Sequence, residues 1–159
     1  MGDAKQLTGL TLRAGRYSGS YAYSPQNQYI KIAHTTDSIL PSGSMSPTGS
    51  GAANLSMSNI LTIKNETLVA SGTFSIPNLS QDDYHTFSFN DSNFCYNGTD
   101  NIVIFWINNW GDYSSGREWW MVDDTSSSSN NRGATSKAIY SMPSSFSRDD
   151  IRPVTRFTY

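Results

Sequence analysis

Apolar residues in this chain come in short bursts and never keep the three-to-four spacing of an amphipathic helix over a useful length. Runs of β-branched and aromatic residues between Gly, Asn, Ser and Pro predict strands at 7–13, 28–34, 59–63, 67–76, 84–89, 101–108, 118–122, 138–141 and 153–159. In three of them the alternation predicts one dry and one wet face. Leu10 and Leu12, Ile30 and Ile32, and Phe87 and Phe89 point one way, while Thr11, Lys31 and Ser88 point the other. Residues Ile102-Val103-Ile104-Phe105-Trp106-Ile107 are apolar on both faces, so this strand is expected to be central, with a loop, a second subunit or a ligand over its second side. Glu118-Trp119-Trp120-Met121-Val122 has the same character and is its expected neighbour. Long Gly-, Ser-, Pro- and Asn-rich segments at 15–27, 40–53 and 123–137 read as loops.

Composition changes the picture in one respect: polarity is carried by hydroxyls and amides. Ser, Thr and Asn fill 53 of 159 positions, whereas charged residues make up 15%. That is well under the roughly 25% of an average domain. A core is still within reach, because aromatic residues contribute 13%. The length suits one domain over residues 1–159. No stretch approaches the roughly 18 apolar residues of a spanning helix, so membrane insertion is not expected. Residues 1–6 lead into no apolar h-region, and no export signal is read in them. A formal net charge of -2 with scattered basic residues argues against a nucleic-acid partner.

The titratable inventory is thin. Cys95 is the single cysteine, which leaves no intrachain disulfide, and its Phe94 and Tyr96 neighbours suggest a small buried filler. His34 and His85 are expected to face solvent or cap a sheet edge. Asp outnumbers Glu 11 to 2, with pairs at Asp82-Asp83, Asp123-Asp124 and Asp149-Asp150. Adjacent residues on a strand face opposite ways, so these pairs suit turn caps better than the facing carboxylates of a glycosidase. A structural calcium bound by loop carboxylates is the alternative use, although no loop has the EF-hand register. There is no nucleophile elbow, phosphate-cradling glycine loop or zinc-protease helix, so an enzyme is not expected and no catalytic residue is assigned.

The conspicuous constellation runs from Trp106 to Trp120, where Trp106, Trp110, Tyr113, Trp119 and Trp120 are interleaved with Asn108, Asn109, Asp112, Arg117 and Glu118. Sugar rings have apolar faces that stack on aromatic rings, and hydroxyl rims that ask for amide, carboxylate and guanidinium partners. Trp106 and one of Trp119 and Trp120 are expected in the core, on the area each ring must bury. Trp110, in the turn between Asn109 and Gly111, is the aromatic least easily explained that way. The candidate ligand site is therefore Trp110 and Tyr113 as stacking surfaces, with Asn108, Asn109, Asp112 and Arg117 as hydrogen-bond partners.

Four motifs carry a resemblance. They are Phe94-Cys95-Tyr96-Asn97-Gly98-Thr99-Asp100-Asn101-Ile102-Val103-Ile104, Asn108-Asn109-Trp110-Gly111, Asn130-Asn131-Arg132 and Arg152-Pro153-Val154-Thr155-Arg156-Phe157. With Leu10-Thr11-Leu12, Tyr29-Ile30-Lys31-Ile32-Ala33-His34, Gly72-Thr73-Phe74 and Thr86-Phe87-Ser88-Phe89 upstream, the chain resembles a β-sandwich module of secreted and cell-surface proteins of Bacteroidetes. That resemblance implies an all-β, antiparallel β-sandwich of jelly-roll type, akin to carbohydrate-binding and adhesin modules. It also implies an extracellular or cell-surface location, a glycan or another protein surface as partner, and no catalytic residues. The motif makes sense as scaffold, since the glycine of Asn97-Gly98-Thr99-Asp100 tolerates a turn with positive φ. The competing expectation is a small virion component, a capsid decoration or tail-tip protein, in which self-assembly through an exposed sheet would explain the two-sided strands.

Overall fold

The computed structural model describes residues 3–14, 22, 24–38, 47–80, 82–109, 133–135, 147–149 and 155–159. Their elements, in chain order, are β1 (Lys5–Leu7), β2 (Gly9–Arg13), β3 (Gln28–Thr35), one 3₁₀ turn (Ala52–Asn54), β4 (Ile63–Gly72), β5 (Tyr84–Ser88), β6 (Phe94–Tyr96), β7 (Asn101–Asn108), β8 (Gly133–Thr135), β9 (Ser147–Asp149) and β10 (Thr155–Thr158). Every pairing is antiparallel. The sheets run β1-β6, β10-β2-β5, β4-β3-β7 and β8-β9. The chain is thus all-β and antiparallel, as the alternation predicts.

The two three-stranded sheets feed one hydrophobic cluster. Leu10, Leu12 and Phe87 enter it from one, and Ile30, Ile32, Val69 and Ala70 from the other, with Leu7 and Phe94 arriving from β1 and β6. Phe74 and Phe87 set their rings against Trp106 at 5.7 and 4.9 Å, so Trp106 serves the core as expected. The β5 strand keeps the predicted wet face, with Tyr84, Thr86 and Ser88 exposed and Phe87 buried.

The β3 strand departs from the half-buried expectation, because it is the middle strand of its sheet and its other face is covered too. Lys31, Ala33 and Thr35 are buried along with Ile30 and Ile32. The cover is the segment around residues 55–61. Leu55 and Met57 pack on Phe105 and Ile107, and Leu61 lies beside Val103. The two-sided β7 therefore has its second side closed by a loop, one of the three covers its sequence calls for. Among the described residues, however, β7 is an edge strand paired with β3 alone, not a central one. Lys31 is tolerated under this cover because its Nζ donates to the Leu55 carbonyl at 2.6 Å and to Glu66 Oε1 at 3.2 Å. Glu66 Oε2 accepts in turn from Ser56 Oγ at 2.8 Å.

Other boundaries move for local reasons. Residues 59–63 do not form the predicted strand: the Ile60 and Leu61 amides both donate to Met57 O, which folds this stretch into a tight turn that drops its apolar side chains onto the sheet. The predicted strand 67–76 begins and ends early, at Ile63 and Gly72, and Phe74 and Ile76 reach the core from outside it. The predicted strand 7–13 splits at Thr8, where pairing passes from β6 to β5 and β10. Gly9 sits at this crossing with Thr158 Oγ1 and the Phe87 carbonyl 3.0 and 3.2 Å from where a Cβ would be. Strands β6, β8 and β9 are not among the predicted ones, and β8 falls inside the 123–137 segment read as loop. The predicted strands 118–122 and 138–141 lie outside the described residues.

Candidate functional site

The C-terminal end of β7 holds the described part of the candidate site. Tyr29 to Gln28 of β3 run beside Ile107 to Asn108 of β7, and the ladder continues one step further because the Asn109 amide donates to the Asn27 carbonyl at 3.1 Å. Gln28 is fully buried at this end, and its carboxamide is the hub. An indole N–H can only donate, so the Trp106 Nε1 bond at 3.0 Å must meet Gln28 Oε1. Gln28 Nε2 then faces two acceptors, the Gln26 carbonyl at 2.9 Å and Asn108 Oδ1 at 2.6 Å. Asn108 is oriented in consequence, with its oxygen toward Gln28 and its Nδ2 turned away. Asn108 and Asn109 are both exposed.

The result is a pair of adjacent surface carboxamides on a strand end whose backbone and one side chain are fixed from within. Such groups donate and accept with neutral polar ligands, and they carry no acid–base chemistry. Of the sequence-predicted site residues, Asn108 and Asn109 are the described ones, both exposed, with Asn108 held by Gln28 through its side chain and Asn109 held by Asn27 through its backbone. Trp110, Asp112, Tyr113 and Arg117 lie outside the described residues, as do Trp119 and Trp120. The sequence reading missed Gln28, whose role rests on its pairing opposite Asn108, 80 positions away.

The remaining candidates resolve one by one. Asp82 and Asp83 act in a turn as expected: Asp82, at a φ of 73°, pairs with Arg13, and Asp83 Oδ2 accepts from the Ser80 amide at 2.7 Å. Asp149 lies in β9, while Asp150 and the Asp123-Asp124 pair lie outside the described residues. Among the described residues no three His, Cys, Asp or Glu side chains converge as a metal site. Cys95 is exposed, not a buried filler, because β6 turns Phe94 inward and Cys95 therefore outward. His34 neither faces solvent nor caps an edge. It is 2% exposed, and its Nε2 accepts the Asn97 amide at 3.1 Å. His85 is half-buried opposite Leu12 with its ring edge-on to Phe87 at 4.7 Å. Burial lowers its pKa from the ordinary 6.5, and a hydrogen bond with the Ser75 backbone opposes that shift.

A second surface feature is the outer face of the β10-β2-β5 sheet. There the Arg156 guanidinium lies over the Tyr84 ring at 4.1 Å and donates to its hydroxyl at 3.0 Å. Thr11 and Thr86 share a 2.7 Å hydrogen bond in the adjoining row. This is a cross-strand arrangement that stabilises the wet face of a sheet.

Comparisons of the chain with protein-family models, curated proteins and solved structures found no match.

Proposed function

We propose that the chain is a non-catalytic binding or adhesion module of a surface or secreted protein, built as an antiparallel β-sandwich of jelly-roll type, with carbohydrate as its ligand class. The observation that carries this reading is the exposed Asn108–Asn109 carboxamide pair on a strand end braced by the buried Gln28. Preorganised amides suit hydroxyl rims, because the cost of ordering them is met by the fold and not by the ligand. Trp110 and Tyr113 follow directly in sequence and are the rings proposed to stack on the sugar face, with Asp112 and Arg117 completing the polar set. The sandwich is supported by the two three-stranded sheets that share one core.

Each such hydrogen bond nets about 0.5–1.5 kcal/mol, so a shallow site of this kind binds in the micromolar to millimolar range unless copies cooperate. The test is a glycan array probed with the chain and with a Trp110→Ala/Tyr113→Ala variant. The proposal expects retention of a defined glycan set and its loss in the variant. Unchanged retention in the variant contradicts the site, and no retention by the parent chain contradicts the ligand class.

A further inference from the structure

His34 is the described residue whose chemistry the ligand site leaves unused. Its ring is buried on β3 between Phe94, 4.7 Å away, and Tyr96, stacked at 6.0 Å. Nε2 accepts the backbone N–H of Asn97, so that nitrogen holds a lone pair and the ring is neutral with its proton on Nδ1. That Nδ1 is buried without a hydrogen-bond partner among the described residues. The bond to Asn97 is where the β6–β7 turn is tied to the sheet. Beyond it the turn is held by its own contacts: Thr99 and Asp100 amides donate to Asn97 Oδ1 at 3.0 Å, Asn97 Nδ2 donates to Asp100 Oδ2 at 2.9 Å, and Gly98 takes a φ of 78°.

We propose that His34 is a pH-sensitive latch, which holds the 97–100 turn when neutral and releases it on taking up a second proton. A proton on Nε2 would set two N–H donors face to face at the Asn97 contact, and would place a cation in the core with an unpartnered N–H on its other side. No carboxylate among the described residues bonds the ring. Around it, β4 brings Lys64 in register, β7 brings the neutral Ile102, β6 brings Phe94 and Tyr96 with the Cys95 thiol turned outward, and β1 brings Lys5 opposite Tyr96. The carboxylates of the flanking turns are committed elsewhere: Asp100 to Asn97 Nδ2, and Asp37 to the Thr62 amide at 2.6 Å. The turn yields before the strand does, because β3 is paired along both edges whereas Asn97 and Thr99 are exposed. Release would free the N-terminal approach to β7, the strand that carries Asn108 at its far end.

The experiment is an NMR pH titration of the full chain, reading the two histidine rings together with amide exchange at Asn97, Thr99 and Asp100, corrected for intrinsic rates. His85→Gln assigns the rings, since these are the two histidines of the chain. The latch expects ring nitrogen shifts of the Nδ1–H tautomer, and loss of Asn97 protection by tenfold or more at the midpoint of His34, retained in His85→Gln. In His34→Gln, whose carboxamide oxygen accepts the same N–H without titrating, that loss should vanish. An Nε2–H tautomer, a ring that stays neutral until the whole chain unfolds, or Asn97 protection that ignores the His34 midpoint would each overturn the latch. If His34→Gln does not fold, the tautomer and the matched midpoints in the parent chain and His85→Gln still decide it.

Discussion

The Trp106 indole donates its N–H to Gln28 Oε1 at 3.0 Å, and this bond sets the orientation of the Gln28 carboxamide and, through it, that of Asn108 at the end of β7. Trp106→Phe keeps a ring in the core but leaves the Gln28 oxygen buried without that donor. The expected loss is about 1–3 kcal/mol in chemical denaturation, the cost of an unsatisfied buried polar group, with a further contribution from lost ring volume. Gln28→Leu in the same background should recover part of it, so the double variant should be less destabilised than the sum of the singles.

Lys31 and Glu66 clamp the 55–61 cover to the sheet from beneath. Their side chains are 10% and 19% exposed, so removal of one strands the other in a largely dry place. Glu66→Ala should destabilise by about 3 kcal/mol, while Lys31→Met/Glu66→Leu should sit much closer to the parent chain, as replacement of a buried ion pair by apolar residues is often neutral. Protease cleavage within residues 47–62 is the more local readout, and should accelerate in Glu66→Ala first.

Asn90 guards the edge of β4 that has no partner strand among the described residues. Its carboxamide accepts from the Ser71 amide at 3.0 Å and donates to the Ser71 carbonyl at 2.8 Å, which closes a stretch of strand that would otherwise offer its groups to another chain. Asn90→Ala should cost about 1 kcal/mol by denaturant midpoint, because the site is exposed and water replaces much of what is lost. Light scattering should show more self-association in the variant than in the parent.

His85 makes the fold acid-sensitive in a defined direction. Its pKa is lowered in the folded chain from 6.5, first by desolvation, so the unfolded chain binds the proton more readily. Stability from this group is present above the unfolded value and is lost as pH falls below it. His85→Gln should flatten the fall of the stability curve just below pH 6.5, measured by thermal melts at a series of pH values.

Much of this architecture is legible in the pattern of residues. β7 is found with its boundaries intact, since six residues apolar on both faces, Ile102 to Ile107, flanked by Asn101 and Asn108, read as a short buried strand. The Asn97 turn and the Asp82-Asp83 turn follow from the habits of Asn, Gly and Asp. What escapes is long-range pairing. Lys31 looks like a solvent-facing residue because nothing in its neighbourhood announces that Glu66 and Leu55 will cover it. His34 looks exposed for the same reason: the amide that donates to its ring comes from residue 97. β6 is three residues long, below the length at which alternation is informative. Of the constellation between Trp106 and Trp120, the core role of Trp106 is legible, because a ring of that area in a strand apolar on both faces has to be covered. Gln28 was not singled out, because its function depends on a partner 80 positions away.

Saccharide binding at the end of β7, as proposed, is read residue by residue in chemical-shift mapping of the isotope-labelled chain against a saccharide retained on the array. Saturable shifts are expected, largest at the Asn108 and Asn109 side-chain amides and smaller at Gln28 and the Trp106 indole N–H. Shifts confined to the Thr11, Tyr84 and Arg156 face, or none at saturating saccharide, would contradict it.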